Sequence, residues 1–137
     1  MVKTIIRDTM LLMKKSHPAS KTDIQTARDL VDTLKANSHR CVGLAANMIG
    51  VHKNIIAVMI LSVPVAMINP RMISHSAESY EVDEGCLSLD GTRKTTRYNT
   101  VEIEYYDLMM KKHRNTYSGF TAEIIQHELD HCNGIII

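Results

Sequence analysis

His127-Glu128-Leu129-Asp130-His131, close to the end of the sequence, spells H-E-x-x-H. Residues four apart on a helix share one face, so both imidazoles can reach a single metal ion. The glutamate after the first histidine is then placed to act as a base toward water polarised by that ion. Three fixed letters do arise by accident, so the pattern alone is only a lead. Upstream, Glu84-Gly85-Cys86-Leu87-Ser88 offers a third donor. A thiol beside a divalent ion is deprotonated outright, which suits Cys86 to ligation better than to nucleophilic attack.

A catalytic site needs three protein ligands and one open position. Metzincin proteases find the third in H-E-x-x-H-x-x-G-x-x-H. This sequence matches as far as Gly134 and then has Ile137 where the histidine would stand. The third ligand must therefore come from upstream, or the site is not a catalytic one. Taken alone, His127 and His131 could be core histidines bonded to carbonyls, and Cys86 a small buried hydrophobe. Glu128 and Cys86 together favour the metal. The remaining histidines, His17, His39, His52, His75 and His113, lie among polar or turn residues and are expected to be exposed.

Cys86, His127 and His131 in these settings resemble the peptide deformylases. That family's signature is three segments, G-x-G-L-A-A-x-Q, E-G-C-L-S and Q-H-E-x-D-H. Here they read Cys41-Val42-Gly43-Leu44-Ala45-Ala46-Asn47-Met48, Glu84 to Ser88, and Gln126 to His131, with Ile68-Asn69-Pro70 and Gly119-Phe120-Thr121-Ala122 as lesser matches. The second and third segments are intact. In the first, Cys41 replaces a glycine and Met48 a glutamine.

The resemblance implies removal of the N-formyl group from the initiator methionine of nascent polypeptides, releasing formate. Cys86, His127 and His131 would hold one divalent metal ion, Fe(2+) by resemblance, with Ni(2+), Co(2+) or Zn(2+) able to substitute. Glu128 would be the general base and acid, and the Leu87 backbone N–H an oxyanion donor. Resemblance also assigns Gly43 and Leu44 to gripping the peptide backbone. Val82, Phe120 and Ile124 would form the methionine pocket, and Arg93 would lie beside the substrate. Met48 would occupy the place of a glutamine donor, which implies reduced activity. The expected partners are N-formyl-methionyl peptides at the ribosome exit. Two rivals remain open: a metal- and peptide-binding protein with little turnover, and another small H-E-x-x-H hydrolase.

At 137 residues and 15.4 kDa the chain is expected to form a single domain, 1–137, with a core of Ile, Leu, Val and nine Met. A formal charge of +1 gives no electrostatic reason to expect nucleic acid or a membrane surface. Three cysteines make no disulfide framework, and Cys41 and Cys132 read as structural. Lys3, Arg7 and Asp8 interrupt the apolar N-terminus, so a signal peptide is not expected and the cytoplasm is the default.

The implied fold is α+β, with small, mostly antiparallel β-sheets around a central C-terminal helix carrying H-E-x-x-H. Residues 1–21 read as a loose arm. Thr22-Asp23-Ile24-Gln25 reads as a capping box opening a helix that ends near Asn37. Residues 43–50 suggest a glycine-bounded loop, and residues 54–69 two short buried strands with Pro64 at an edge or break. A short strand is expected over 79–83. Residues 100–106 alternate cleanly and predict a half-exposed strand, with a final short strand in the following stretch. The last helix should start at Ser118 or Thr121 and stop at Gly134.

Overall fold

Val101, Ile103 and Tyr105 alternate with Glu102, Glu104 and Tyr106, and this period of two makes Thr100–Tyr106 a strand with one face on the core. In the structure, a computed structural model describing residues 1–86, 88 and 90–136, this strand lies within a five-stranded antiparallel sheet. In chain order the sheet uses β1 (Gly43–Ala45), β2 (Ile55–Ile60), β3 (Val63–His75), β6 (Thr100–Tyr106) and β7 (Lys112–Ser118), and that is also their spatial order. β4 (Ser79–Glu84) and β5 (Arg93–Tyr98) form a separate antiparallel ribbon. The α+β expectation is met.

Three helices complete the chain: α1 (Thr9–Leu12), α2 (Ile24–Ala36) and α3 (Gly119–Cys132). α2 packs on β2 and β3 through Ala27, Leu30 and Leu34, which are fully buried. α3 packs on β1 and β2 and also meets β5 and β7, so the helix with the two histidines is the hub of the fold. Its end is a left-handed glycine cap. Gly134 has φ +75°, its N–H bonds the His131 carbonyl, and the Ile135 N–H bonds that of Asp130. A Cβ at Gly134 would lie 2.3 Å from the Met13 carbonyl oxygen.

Several local expectations are corrected. The residues before α2 do not form a loose arm. Ile6 N–H bonds the Met48 carbonyl, Ser16 N–H that of Cys132, and His17 N–H that of His52. The Asn69 side chain holds Ala19 through both backbone groups, at 2.7 and 2.9 Å. Asn69 adopts φ +51° at a register shift in β3, which aims its amide at the arm. The capping box belongs to Ser20 and Asp23, two residues earlier than expected, and opens a 3₁₀ turn leading into α2. Gln25 bonds Asp29 instead. Residues 43–50 hold a short strand and a 3₁₀ turn (Ala46–Ile49) where a loop was expected. Strand β3 runs on to His75, β7 continues to Ser118, and β5 was not anticipated.

The β2–β3 hairpin turns on Leu61 and Ser62, which both have positive φ (50° and 66°), while Leu61 is 94% exposed. A two-residue turn of this hand favours Asn-Gly, and an ordinary side chain in the left-handed region costs about 1 kcal/mol or more. The double substitution Leu61→Asn with Ser62→Gly is expected to raise the thermal midpoint by about 3–8 °C without altering the site. Calorimetry on the two proteins checks it; an unchanged midpoint would mean that the turn is not strained.

Candidate metal centre

The helical period of α3 places His127 and His131 on one face, and the end of β4 delivers Cys86 opposite them. One donor atom from each of the three lies within 4.8 Å of the others. The two Nε2 atoms converge to 3.0 Å. A thiolate and two imidazoles are a donor set that divalent transition ions accept. Two further atoms on this helix, Glu128 Oε1 and His131 Nδ1, are buried without a partner among the described residues. An orphaned buried polar atom costs about 1–3 kcal/mol, so an ion with its water beside Glu128 fits what the Oε1 of that carboxyl leaves unmet.

What fixes the orientation of His127 is a carboxylate. Its Nδ1 donates to Glu84 Oε1 at 2.7 Å, which turns Nε2 toward the centre. Glu84 is in turn held by Arg97 on β5, whose Nε and Nη2 reach it at 3.0 and 2.6 Å. The remaining Nη1 donates to Asp130 Oδ2 at 2.6 Å. Arg97 is only 4% exposed and so joins the β4–β5 ribbon to α3 from inside.

The charges follow from these contacts. Burial pushes the Glu84 carboxyl up, but His127 and Arg97 outweigh it and bring the pKa down to about 2. Burial lowers the basicity of His127, yet the Cys86 thiol and Glu84 raise it to about 10. His131 goes the other way, to about 3, through burial and then the neighbouring His127. Glu128 is pushed up to about 7, chiefly by burial, which poises it for proton transfer near neutrality.

The centre opens into a cleft of about 490 Å³. Ile124, His127 and Glu128 lie along one side, Cys41 to Gly43 on a second, and Glu84 to Cys86 on a third. Gly43 is required at that spot. A Cβ there would come within 2.8 Å of both Glu128 Oε2 and the Ile124 side chain. The strand it belongs to, β1, is the edge of its sheet.

Of the residues predicted for substrate, Gly43, Phe120 and Ile124 lie on the cleft wall. The other four are placed elsewhere. Leu44 is fully buried in β1, and Met48 is buried in the following turn. Val82 is half-buried in β4, and Arg93 donates to the Asp90 carbonyl. Leu87 lies outside the described residues. His17, His39 and His75 are exposed as expected, whereas His52 and His113 are half-buried, against the Leu11 carbonyl and Asp107.

Sequence reasoning missed the supporting residues. Glu84 was read only as a motif letter, although a ligating histidine needs a carboxylate or carbonyl behind it. Gln126 pairs its amide with both backbone groups of Tyr98. Asn47 donates to the Leu12 and His131 carbonyls, joining α1 to α3.

Replacing Arg97 with methionine leaves Glu84 and Asp130 without their shared cation. Breaking a buried ion pair from one side typically costs about 3–5 kcal/mol. Arg97→Met is therefore expected to lower unfolding stability by an amount of that order, read from urea denaturation. A loss under about 1 kcal/mol would show that the bridge is dispensable.

With the geometry in place, comparison with known proteins is direct. The polypeptide deformylase family model matches residues 2–137. A peptide deformylase of Clostridium beijerinckii is 50% identical over the whole of both chains. One from Streptococcus pyogenes is 34% identical, aligned over 82% of this chain and 64% of its own length. Among solved structures, the peptide deformylase from Thermotoga maritima superposes with a TM-score of 0.89 at 25% identity, covering 99% of this chain and 95% of that one. A Met-Ala-Ser-bound class I type b peptide deformylase from Acinetobacter baumannii gives 0.88 at 27% identity, covering 99% and 97%. By sequence across its length and by fold, the chain belongs to the polypeptide deformylase family.

Proposed function

We propose that this protein hydrolyses the N-formyl group from the formyl-methionyl end of nascent polypeptides, releasing formate and a free amine. The observation that carries the reading is the convergence of Cys86, His127 and His131 within 4.8 Å beside Glu128, whose buried Oε1 has no partner among the described residues. Cys86, His127 and His131 would hold one divalent ion, iron(II) in our assignment, with nickel, cobalt or zinc acceptable to the same donors. When bound, the ion supplies Lewis acidity toward water and the formyl oxygen.

The protein's own residues do the rest. Glu128 takes a proton from the attacking water and returns it to the leaving amine, a role suited to a carboxyl whose pKa burial has pushed up to about 7. Glu84 keeps His127 in the tautomer that faces the centre. The Val42 carbonyl is taken by Met59 N–H, so strand alternation turns the backbone groups of Gly43 to the open edge. An extended peptide can add there as a further strand. That a relative from Acinetobacter baumannii binds Met-Ala-Ser supports a peptide starting with methionine as the occupant. The Leu87 N–H would steady the developing oxyanion. No described helix is long and apolar enough to cross a membrane, and the reading sets the reaction in the cytoplasm at the ribosome exit.

Met48 is buried and lies off the cleft wall, so position 48 is a donor position by family resemblance alone, and methionine there has no N–H to give. Nor can the neighbouring amide replace it, because Asn47 is committed to the Leu12 and His131 carbonyls. The reading therefore includes a slow enzyme.

Formate release from a formyl-Met peptide, assayed anaerobically with iron(II) and again with nickel, tests the function. Cys86→Ala should lose stoichiometric metal, measured by elemental analysis. Glu128→Gln should keep the metal and lose about 10²–10⁴ in rate. Metal retained in the Cys86 variant, or lost in the Glu128 variant, contradicts the assigned roles.

For Met48→Gln the expected change is a rise in kcat of about tenfold or more, since one oxyanion donor is typically worth about 10²–10³. No gain would mean that the missing donor is compensated elsewhere.

A further inference from the structure

The cleft holds a thiol that the mechanism above leaves unused. Cys41 lines it on the side of β1, and Cys86 faces the same space from the side of β4. Both are half-buried, so a small oxidant in the cleft reaches them. Neither belongs to a strand ladder: Cys41 lies two residues before β1 begins at Gly43, and Cys86 two after β4 ends at Glu84. Burial chiefly holds the Cys41 thiol up, to about 11, and the charged side chains it feels are Glu128, Arg40 and Cys86. Its sulfur therefore lies among the groups of the centre. Glu128 is 3% exposed and its Oε1 has no partner among the described residues, which leaves a proton acceptor beside the two thiols. Cys132 is buried outside the cleft.

Two thiols sharing a cleft with a base have a chemistry that one thiol lacks. Hydrogen peroxide transfers one oxygen to the Cys86 thiolate, leaving a sulfenic acid and hydroxide. Left alone, that sulfur takes a second oxygen and becomes a sulfinic acid, which thiols do not reduce. Cys41 offers another course. Its sulfur attacks the Cys86 sulfur, the S–S bond forms and the S–OH bond breaks. The Cys41 proton passes through Glu128 to the departing hydroxide, which leaves as water. The two cysteines give up two electrons in all, and the peroxide is reduced to water. Bridging needs Cα atoms about 4.4–6.8 Å apart, and chain outside a ladder can adjust to that. A dithiol then reduces the bridge by exchange and returns both thiols.

We propose that Cys41 is a resolving thiol for Cys86, capturing the oxidised sulfur as a reducible intrachain disulfide and making oxidative loss of the three-donor centre reversible. The thiol chemistry is independent of the deformylase reading; only its effect on formate release rests on it.

Nickel-loaded wild type and Cys41→Ala are treated stepwise with hydrogen peroxide and then with dithiothreitol. Mass spectrometry of the digested protein follows both cysteines, and elemental analysis follows bound nickel. Wild type should yield a peptide pair bridging Cys41 to Cys86, lose nickel as the bridge forms, and regain it after dithiothreitol. Cys41→Ala should accumulate sulfinic acid at Cys86 and stay without nickel. The wild-type bridge decides the matter even if the variant fails to fold. The inference is overturned by sulfinic acid at Cys86 in wild type, by a bridge to Cys132 or between two chains, or by Cys86 left reduced in excess peroxide. Full recovery of nickel by Cys41→Ala overturns it as well. Nickel regained by wild type with no formate released from a formyl-Met peptide overturns the deformylase reading alone.

Discussion

One buried guanidinium ties the two halves of this molecule together. Arg97 reaches Glu84 with two of its nitrogens and Asp130 with the third, so a ribbon with little apolar surface is fastened to the helix that carries the histidines. Buried ion pairs are weak sources of net stability, but they are strict about geometry. Here the geometry is passed on. With its carboxylate fixed, Glu84 holds the His127 ring in one tautomer, and the end of the same strand places Cys86 across from it. Three donors from two separate elements meet because one planar cation spans both.

The second constraint is nearness without contact chemistry. Gly43 lies so close to Glu128 and Ile124 that any side chain would collide with them. The sheet edge thus approaches Glu128 as closely as backbone can. Asn47, a few residues on, links the end of α3 to the N-terminal arm. The two histidines, Glu128 and the strand edge are therefore held by backbone and amide bonds as much as by apolar packing.

Some of this was legible in the sequence, and for identifiable reasons. The α3 helix and its motif could be read because period and chemistry coincide there, and β6 because Val101, Ile103 and Tyr105 alternate with polar residues. β5 could not, since Arg93-Lys94-Thr95-Thr96-Arg97 shows no apolar period; it is a strand because β4 pairs with it and Arg97 is paired inside. The capping box was misread because Thr22 with Gln25 and Ser20 with Asp23 spell the same signal, and only the path of the chain chooses between them. The docked arm left no trace, as it is held by backbone bonds and by Asn69, none of which shows in hydropathy. At the site, Cys86, His127, Glu128 and His131 were legible as letters, and the structure brings the three donors together. Glu84, Gln126 and Asn47 were not, because their work depends on what stands behind them in space.

The glycine that ends α3 has a consequence far from the turn it makes. Nothing larger than hydrogen fits between residue 134 and the Met13 carbonyl. The arm is thus a backstop against which the ligand-bearing helix rests, and the helix cannot slide toward its own C-terminal end without meeting it. In genetic terms this makes position 134 brittle. A change there touches neither imidazole nor the cleft, yet it shifts the platform on which both histidines stand. Inactivating mutations should therefore gather at two places, the motif itself and the remote seam where its helix meets the arm.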